Sequence, residues 1–470
     1  MNHKLPLLLA TLMAAGGTLQ LKADEVKLTT ALAAGEKLAI ALNADVTATL
    51  TWGDGTQQTI ESDGSLQEVD VKSQTLTVTT DENLTSLYLQ GNKLTALDVT
   101  GAPQLLQLYC ADNQLTELNL AKNTSLTTLD AQDNSIATLS ASALKALTDV
   151  NVANNSMTKM TIASTARLKS LVCSGNQLTA LPTAAVLSTA ETVWAQNNSI
   201  STLPIAQDKS LRSVCADNNK LTAVNITSAS LLSEVSLNNN QLTTLDLSKG
   251  GSKLQYLSAA GNDLTTVTWN KDSKRTCKYV YLQDNALFLN SMPSLIFGGQ
   301  QINVDLSNQA AYALPKKVYE VDEAVNIYSL VAQNGWGIST SAKVSVVKED
   351  GTALTSGTDY SVANHSYTFK NVYKGLAFNV TSASYSGYTF RSSVFNVGTT
   401  EAINQATASQ TLSFTTRHGQ LSVDAAQPVR LNIFSVAGTK VVDTQVAAGE
   451  STFTLPAGIY VVNGQKVLVP

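Results

Sequence analysis

One short frame recurs ten times in the middle of this chain, and no other feature limits the fold as much. The strings are LYLQGNKL, LYCADNQL, LDAQDNSI, VNVANNSM, LVCSGNQL, VWAQNNSI, VCADNNKL, VSLNNNQL, LSAAGNDL and VYLQDNAL. Each holds an asparagine at the same place: Asn92, Asn113, Asn134, Asn155, Asn176, Asn198, Asn219, Asn240, Asn262 and Asn285, spaced 21 to 23 residues apart. A fixed period of this length marks a stack of like units, none able to bury its apolar face alone. Alternate side chains of a short strand point to opposite faces, so Leu87 and Leu89 are expected inward, and Tyr88 and Gln90 outward on an open sheet. With strands about 4.8 Å apart, ten coils would make a stack of roughly 45–50 Å. The asparagine falls where the chain leaves the strand. Its amide both donates and accepts, so the ten are expected to form one buried ladder satisfying turn backbone groups in their own and the neighbouring coil. Pro182 and Pro204 fall in the return segments, where a missing N–H does little harm.

The frame L-x-x-L-x-(L/C/A)-x-x-N-x-L-x-x-L, over roughly residues 84–290, resembles the leucine-rich repeat in its short, internalin-like bacterial form. The resemblance implies a β-rich solenoid over 84–300, with residues 286–300 as a closing coil, and a surface protein that binds a partner on its concave sheet. Register assigns thirty outward positions to that sheet, and none is Lys or Arg. Tyr88 and Tyr109 form one expected aromatic cluster, Tyr256, Tyr279 and Tyr281 a second, and Trp194 stands alone between them. Asp217 and Glu234 add negative potential, which suits a neutral or basic ligand. Exposed Tyr and Trp are enriched at binding hot spots, although cross-strand aromatic pairs can also simply stabilise a sheet.

The four cysteines obey the same frame. Cys110 and Cys173 replace an inward Leu and are expected as small core residues. Three repeats separate them, roughly 14 Å between strands, too far for a disulfide. Cys277 fills the apolar position before its strand. Cys215 falls in an outward slot, either as a reactive thiol or as a tolerated neutral residue.

The flanks read differently. Lys4, the apolar run Leu5–Ala15 and Ala23 before Asp24 make the three-part pattern of a signal peptide over 1–23. No later segment reaches 18 uncharged apolar residues, so no membrane span is expected. Residues 24–83 alternate apolar and polar in short runs around the Asp54-Gly55 turn and are expected to form a small β cap. From 301 to 398, short strand-like runs with Asp350-Gly351, Ser356-Gly357 and Ser386-Gly387 turns suit a β-sandwich of immunoglobulin size without its disulfide. Residues 399–410 read as a linker.

Residues 411–470 contain Gly419, then Val429, Leu431 and Ile433 before Gly438, then Leu455-Pro456-Ala457-Gly458-Ile459-Tyr460, and Lys466–Val469 near the end. This segment resembles the C-terminal sorting domain read by the type IX secretion machinery of the Bacteroidota, itself a β-sandwich. The resemblance implies export across the outer membrane, removal of the domain and attachment of the remainder to the cell surface. The chain departs from the commonest pattern by ending on Pro470.

Charged residues make up only 14% and the formal charge is −5, with no basic stripe, which disfavours nucleic acid as a partner. The three histidines are His3, His418 and His365, the last beside a turn asparagine. No nucleophile–histidine pairing, zinc spacing or phosphate loop can be drawn, so neither an enzyme nor a metal or other cofactor is expected. The expected function is a cell-surface binding protein or adhesin for a protein or glycan on a host or neighbouring bacterial surface. The alternative is a self-associating structural component of a surface or biofilm layer.

Overall fold

The computed structural model describes residues 23–206, 209–248, 253–269, 277–289, 296–297, 300–301, 303–327, 331, 342–398, 412–417, 419–426, 428–436, 439–463 and 465–470. The expected signal peptide, but for Ala23, and the expected linker lie outside these residues. The described residues fall into two compact units, one up to Ala310 and one from Ala311 onward. No described helix is long and apolar enough to cross a membrane.

The first unit is a leucine-rich-repeat solenoid. Among the described residues its concave sheet has thirteen strands, eleven of them short and parallel, running from Ser86–Tyr88 to Asn303–Asp305. Pairing is in register from coil to coil. Leu87, Leu108, Leu129, Val150 and Leu171 thus stack in one column that continues through Val193, Val214, Val235, Leu257 and Val280. Each of these ten is at most 1% exposed, so this column is the spine of the core.

The strands stop after three residues because the chain turns left-handed at the residue before each anchor. Gly91, Asp112, Asp133, Asn154, Gly175, Asn197, Asn218, Asn239, Gly261 and Asp284 all have φ between 52° and 72°. Only Gly, Asp and Asn occur there, the types that tolerate this conformation best. Their side chains form an exposed second ladder: Asn218 Nδ2 donates to Asn197 Oδ1, and Asn239 Nδ2 to Asn218 Oδ1, both at 2.7 Å.

The period does not end at Asn285. Asn303–Asp305 pairs in parallel with Tyr279–Tyr281 and makes an eleventh coil strand, so the solenoid runs past the expected boundary at 300/301. Gln309 occupies the anchor position. Its Nε2 donates to the carbonyls of Leu282 (2.8 Å), Leu306 (3.3 Å) and Ser307 (3.4 Å), and its Oε1 accepts from Leu287 N–H (2.8 Å). Asn308 before it has φ 55°, as in every other coil.

The N-terminal segment joins both faces of the first coil. Lys37–Leu42 pairs antiparallel with Ser86–Tyr88, and Gln67–Asp70 pairs outside it, so these two strands extend the concave sheet. On the other face Glu25–Thr30 pairs with Leu94–Gly101, the return strand of the first coil, within a five-stranded sheet. Strand pairing therefore crosses the expected cap boundary at residue 83. Asn92 seals the junction, accepting from Ala39 N–H at 2.8 Å and donating to Ala39 O at 2.6 Å.

In the second unit, Tyr373–Thr381 lies between Phe395–Val397 and Lys343–Val347 in one sheet, and Ser366–Phe369 lies between Ala324–Asn326 and Tyr360–Ala363 in another. Rings join the two sheets: Tyr367 meets Phe378 with centroids 4.9 Å apart, and Phe369 meets Phe395 at 5.7 Å. His365 sits with Asn364 in the two-residue turn of a hairpin, both at positive φ. Farther on, the sheet of Leu412–Arg417, Gln420–Ala425 and Gly449–Thr454 shares one core with the sheet of Lys440–Val446, Val429–Ser435, Gly458–Val462 and Gln465–Val469.

Candidate binding face

The anchoring asparagines have one repeated hydrogen-bond pattern. Asn176 Nδ2 donates to Val152 O of the preceding coil (2.9 Å) and to Cys173 O and Ser174 O of its own turn (both 3.2 Å), and Oδ1 accepts from Met157 N–H (2.9 Å). Asn113, Asn134, Asn155, Asn198, Asn219, Asn240, Asn262 and Asn285 reach the preceding coil in the same way. This ladder fixes where each outward side chain of the concave sheet stands. A second buried asparagine, Asn123, donates to Val99 O and Ala102 O in the return segment; it lies outside the ten-fold frame and was not singled out from the sequence.

Near the cap, Tyr88 and Tyr109 stack with centroids 4.4 Å apart and planes 5° from parallel. The stack occupies one face of each ring, and both residues are half-buried. Three small outward positions, Ala111, Ala153 and Ser258, are buried rather than presented to solvent.

The C-terminal half of the face is more open. Trp194 and Tyr279 are each 42% exposed. Tyr256 touches both other tyrosines, with centroids 6.5 Å from Tyr279 and 5.8 Å from Tyr281. Trp194 does not stand alone. It shares a cavity of about 280 Å³ with Tyr256, floored by Ser213, Cys215 and Ser236 and edged by Glu234 and Gln196. The cavity exists because three of the four outward positions on the two strands between Trp194 and Tyr256 are small, Ser213, Cys215 and Ser236, while the fourth, Glu234, bounds it. The Trp194 indole N–H donates to Ser213 Oγ at 3.1 Å, and Ser213 donates to Glu234 Oε2 at 3.3 Å. Beyond Tyr256 lies a more polar hollow of about 440 Å³, lined among others by Asp217, Asn238, Tyr281, Gln283 and Asp284.

Asp217 is occupied within the fold. Its carboxylate accepts from Ser236 Oγ at 2.9 Å and from Asn238 N–H at 2.7 Å. Asn238 passes the network on, accepting from Ser258 Oγ at 2.7 Å and Ala260 N–H at 2.8 Å. Asp217 thus contributes charge to the face but few open acceptor sites, whereas Glu234 is exposed.

None of the four cysteines is in a disulfide. Burial pushes the Cys110 and Cys173 thiols up to about 12. Burial, and secondarily the Asp217 charge, pushes Cys215 up to about 11, so it is a protonated, unreactive thiol at neutral pH.

In the C-terminal segment, Leu455 is buried, and the Tyr460 hydroxyl donates to Pro456 O at 2.9 Å, closing the LPAGIY turn on itself. Ala457 is exposed and Gly458 opens the strand Gly458–Val462, with Ile459 on its outer side. Gly438 lies outside the described residues.

No family model and no curated protein matches this sequence. Among solved structures, the chain is similar to the functional domain of InlJ from Listeria monocytogenes, described as including a cysteine ladder. That match has 17% identity and a TM-score of 0.37, over 68% of this chain and 92% of that one. A leucine-rich-repeat protein of Leptospira interrogans matches at 22% identity and TM-score 0.37, over 48% of this chain and 67% of that one. An internalin of L. monocytogenes, inlF, matches at 20% identity and TM-score 0.30, over 48% and 81%. These likenesses are of fold.

Proposed function

We propose that the protein is a surface-displayed binding protein that recognises a protein partner on the C-terminal half of its concave sheet. The observation that supports this most is the grouping of Trp194, Tyr256 and Tyr281 around two adjoining hollows, with Tyr279 against Tyr256, on coil strands whose outward positions hold no basic residue. Large rings with open faces beside a cavity are the usual anchors of an interface. The signal-peptide pattern over 1–23 and the LPAGIY segment support display outside the cell through the type IX machinery, with attachment to the outer membrane surface. No catalytic step, cofactor or nucleic acid enters this reading.

Pull-down from host-cell and co-resident bacterial surface fractions, followed by affinity measurement, tests it. Truncating a hot-spot aromatic costs about 2 kcal/mol or more, roughly thirtyfold in affinity, so Trp194→Ala and Tyr281→Ala should each weaken the captured partner to that extent. If both variants bind as tightly as the parent, the concave face is not the site. Exposed aromatic rings also suit sugar stacking, and a glycan array probes that second reading directly. Concentration-dependent self-association that both substitutions abolish would instead support the structural role.

A further inference from the structure

The hollow between Trp194 and Tyr256 has the chemistry of a subsite for one cationic side chain. We propose that it receives an arginine of an extended segment of the protein partner; this rests on the concave-face reading above and specifies its ligand. Size limits the occupant first. Small-molecule pockets run roughly 300–1,000 Å³, and this hollow, at about 280 Å³, suits a single side chain. Its walls are aromatic and stand three strand steps apart, roughly 14 Å, with Ser213, Cys215 and Ser236 as a low floor. A guanidinium entering the hollow can lie over the face of one aromatic wall, Trp being the stronger partner, with Glu234 on the edge to pair with it.

Charge selects the same occupant. Glu234 edges the hollow, and Ser213 holds it by Oε2 alone; among the described residues nothing pairs with its other oxygen. Gln196, also on the edge, has its Oε1 buried without a hydrogen-bond partner. The Asp217 carboxylate, one strand from Glu234 on the side of Trp194, adds negative potential although its acceptor sites are used. Arg212, next to Ser213 in the chain, is paired with Glu191 at 3.2 Å. The hollow therefore presents the Glu234 carboxylate, with the Asp217 charge close by outside its lining and no basic residue within it. Arginine, with five N–H donors in a planar fork, uses such a set more fully than lysine does. The hydrogen-bond relay from Trp194 through Ser213 to Glu234 holds ring and carboxylate in place before a ligand arrives.

The test uses the intact protein, labelled with ¹⁵N, and the probe acetyl-Gly-Arg-Gly-Arg-Gly-amide, with versions carrying lysine or the neutral isostere citrulline. Saturable movement of the Trp194 indole N–H signal by the arginine peptide is expected. Binding should weaken about tenfold with citrulline and about fivefold with Glu234→Gln, with lysine between arginine and citrulline. Equal binding of the arginine and citrulline peptides, or no saturable shift, overturns the subsite. If a captured partner is weakened by Tyr281→Ala but not by Glu234→Gln or Trp194→Ala, the concave-face reading stands and the arginine subsite falls.

Discussion

Removal of one rung of the asparagine ladder has a cost that can be worked out atom by atom. Asn176 makes four side-chain hydrogen bonds, but their loss would not be equal. The Val152 carbonyl keeps a second donor in Asn155 Nδ2, the Cys173 carbonyl keeps Asn198 Nδ2, and the Ser174 carbonyl keeps Asn154 N–H. Only the Met157 N–H, on a fully buried residue, is left with nothing. An orphaned buried donor costs about 1–3 kcal/mol. Asn176→Ala should therefore cost about 2 kcal/mol, not the sum of four bonds. Asn176→Asp separates this account from a simple packing effect. It keeps the acceptor for Met157 but turns the second oxygen toward three carbonyls, so at pH 7 it should be less stable than Asn176→Ala. Those carbonyls favour the protonated acid in the folded state and raise its pKa above the unfolded value. The defect should therefore shrink as pH falls through the raised value, because protonation then favours the folded form. Urea unfolding of the three proteins at pH 7 and pH 5 measures all of this. An alanine variant within 0.5 kcal/mol of the parent, taken as about the limit of such measurements, or an aspartate variant more stable than alanine at pH 7, would refute the reasoning.

Four further expectations can be tested. At Gly175 a Cβ would lie 2.4 Å from Asn154 Oδ1 with φ at 64°, so Gly175→Ala should destabilise; Gly175→Asn, though larger, should cost less, because asparagine tolerates this φ and can join the outer ladder, as urea midpoints would report. Gln309→Ala should deprotect the Leu287 amide to hydrogen exchange while leaving the Met157 amide unchanged, since each rung serves only its neighbours. With Cys215 held at about 11, only about one thiol in a thousand is ionised at pH 8, so alkylation of the native protein should be far slower than after unfolding; equal rates would contradict the burial. Deleting residues 411–470 should leave the protein unable to reach the cell surface, which surface labelling of intact cells would check.

The solenoid was legible because its signal repeats: one weak frame means little, but ten in phase fix register, inward face and turn position together. The same strings also carried the left-handed position, as the Gly, Asp or Asn before every anchor, which is readable once asked for. Gln309 escaped because it combines a substituted anchor with a lengthened coil, although Val304, Leu306 and Asn308 still keep the pattern around it. The junction with the cap escaped for a different reason. Pairing of Glu25–Thr30 with Leu94–Gly101 is long-range and antiparallel, and nothing local to either strand announces its partner. At the candidate site, register could list the outward residues but not their mutual use. That Asp217 is consumed by Ser236 and Asn238, and that Trp194 and Tyr256 line one hollow, depends on side-chain directions that no spacing encodes.

The unequal ends of the solenoid bear on how it would respond to load. The first coil is gripped on both faces, through Ser86–Tyr88 and through Leu94–Gly101, whereas among the described residues Asn303–Asp305 is an edge strand with a single strand neighbour. A pull along the stacking axis would therefore peel coils one at a time from the Gln309 end, each yielding as its own rung parts, while the cap end holds. An aromatic face near the yielding end would be the first part of the sheet to change shape under tension.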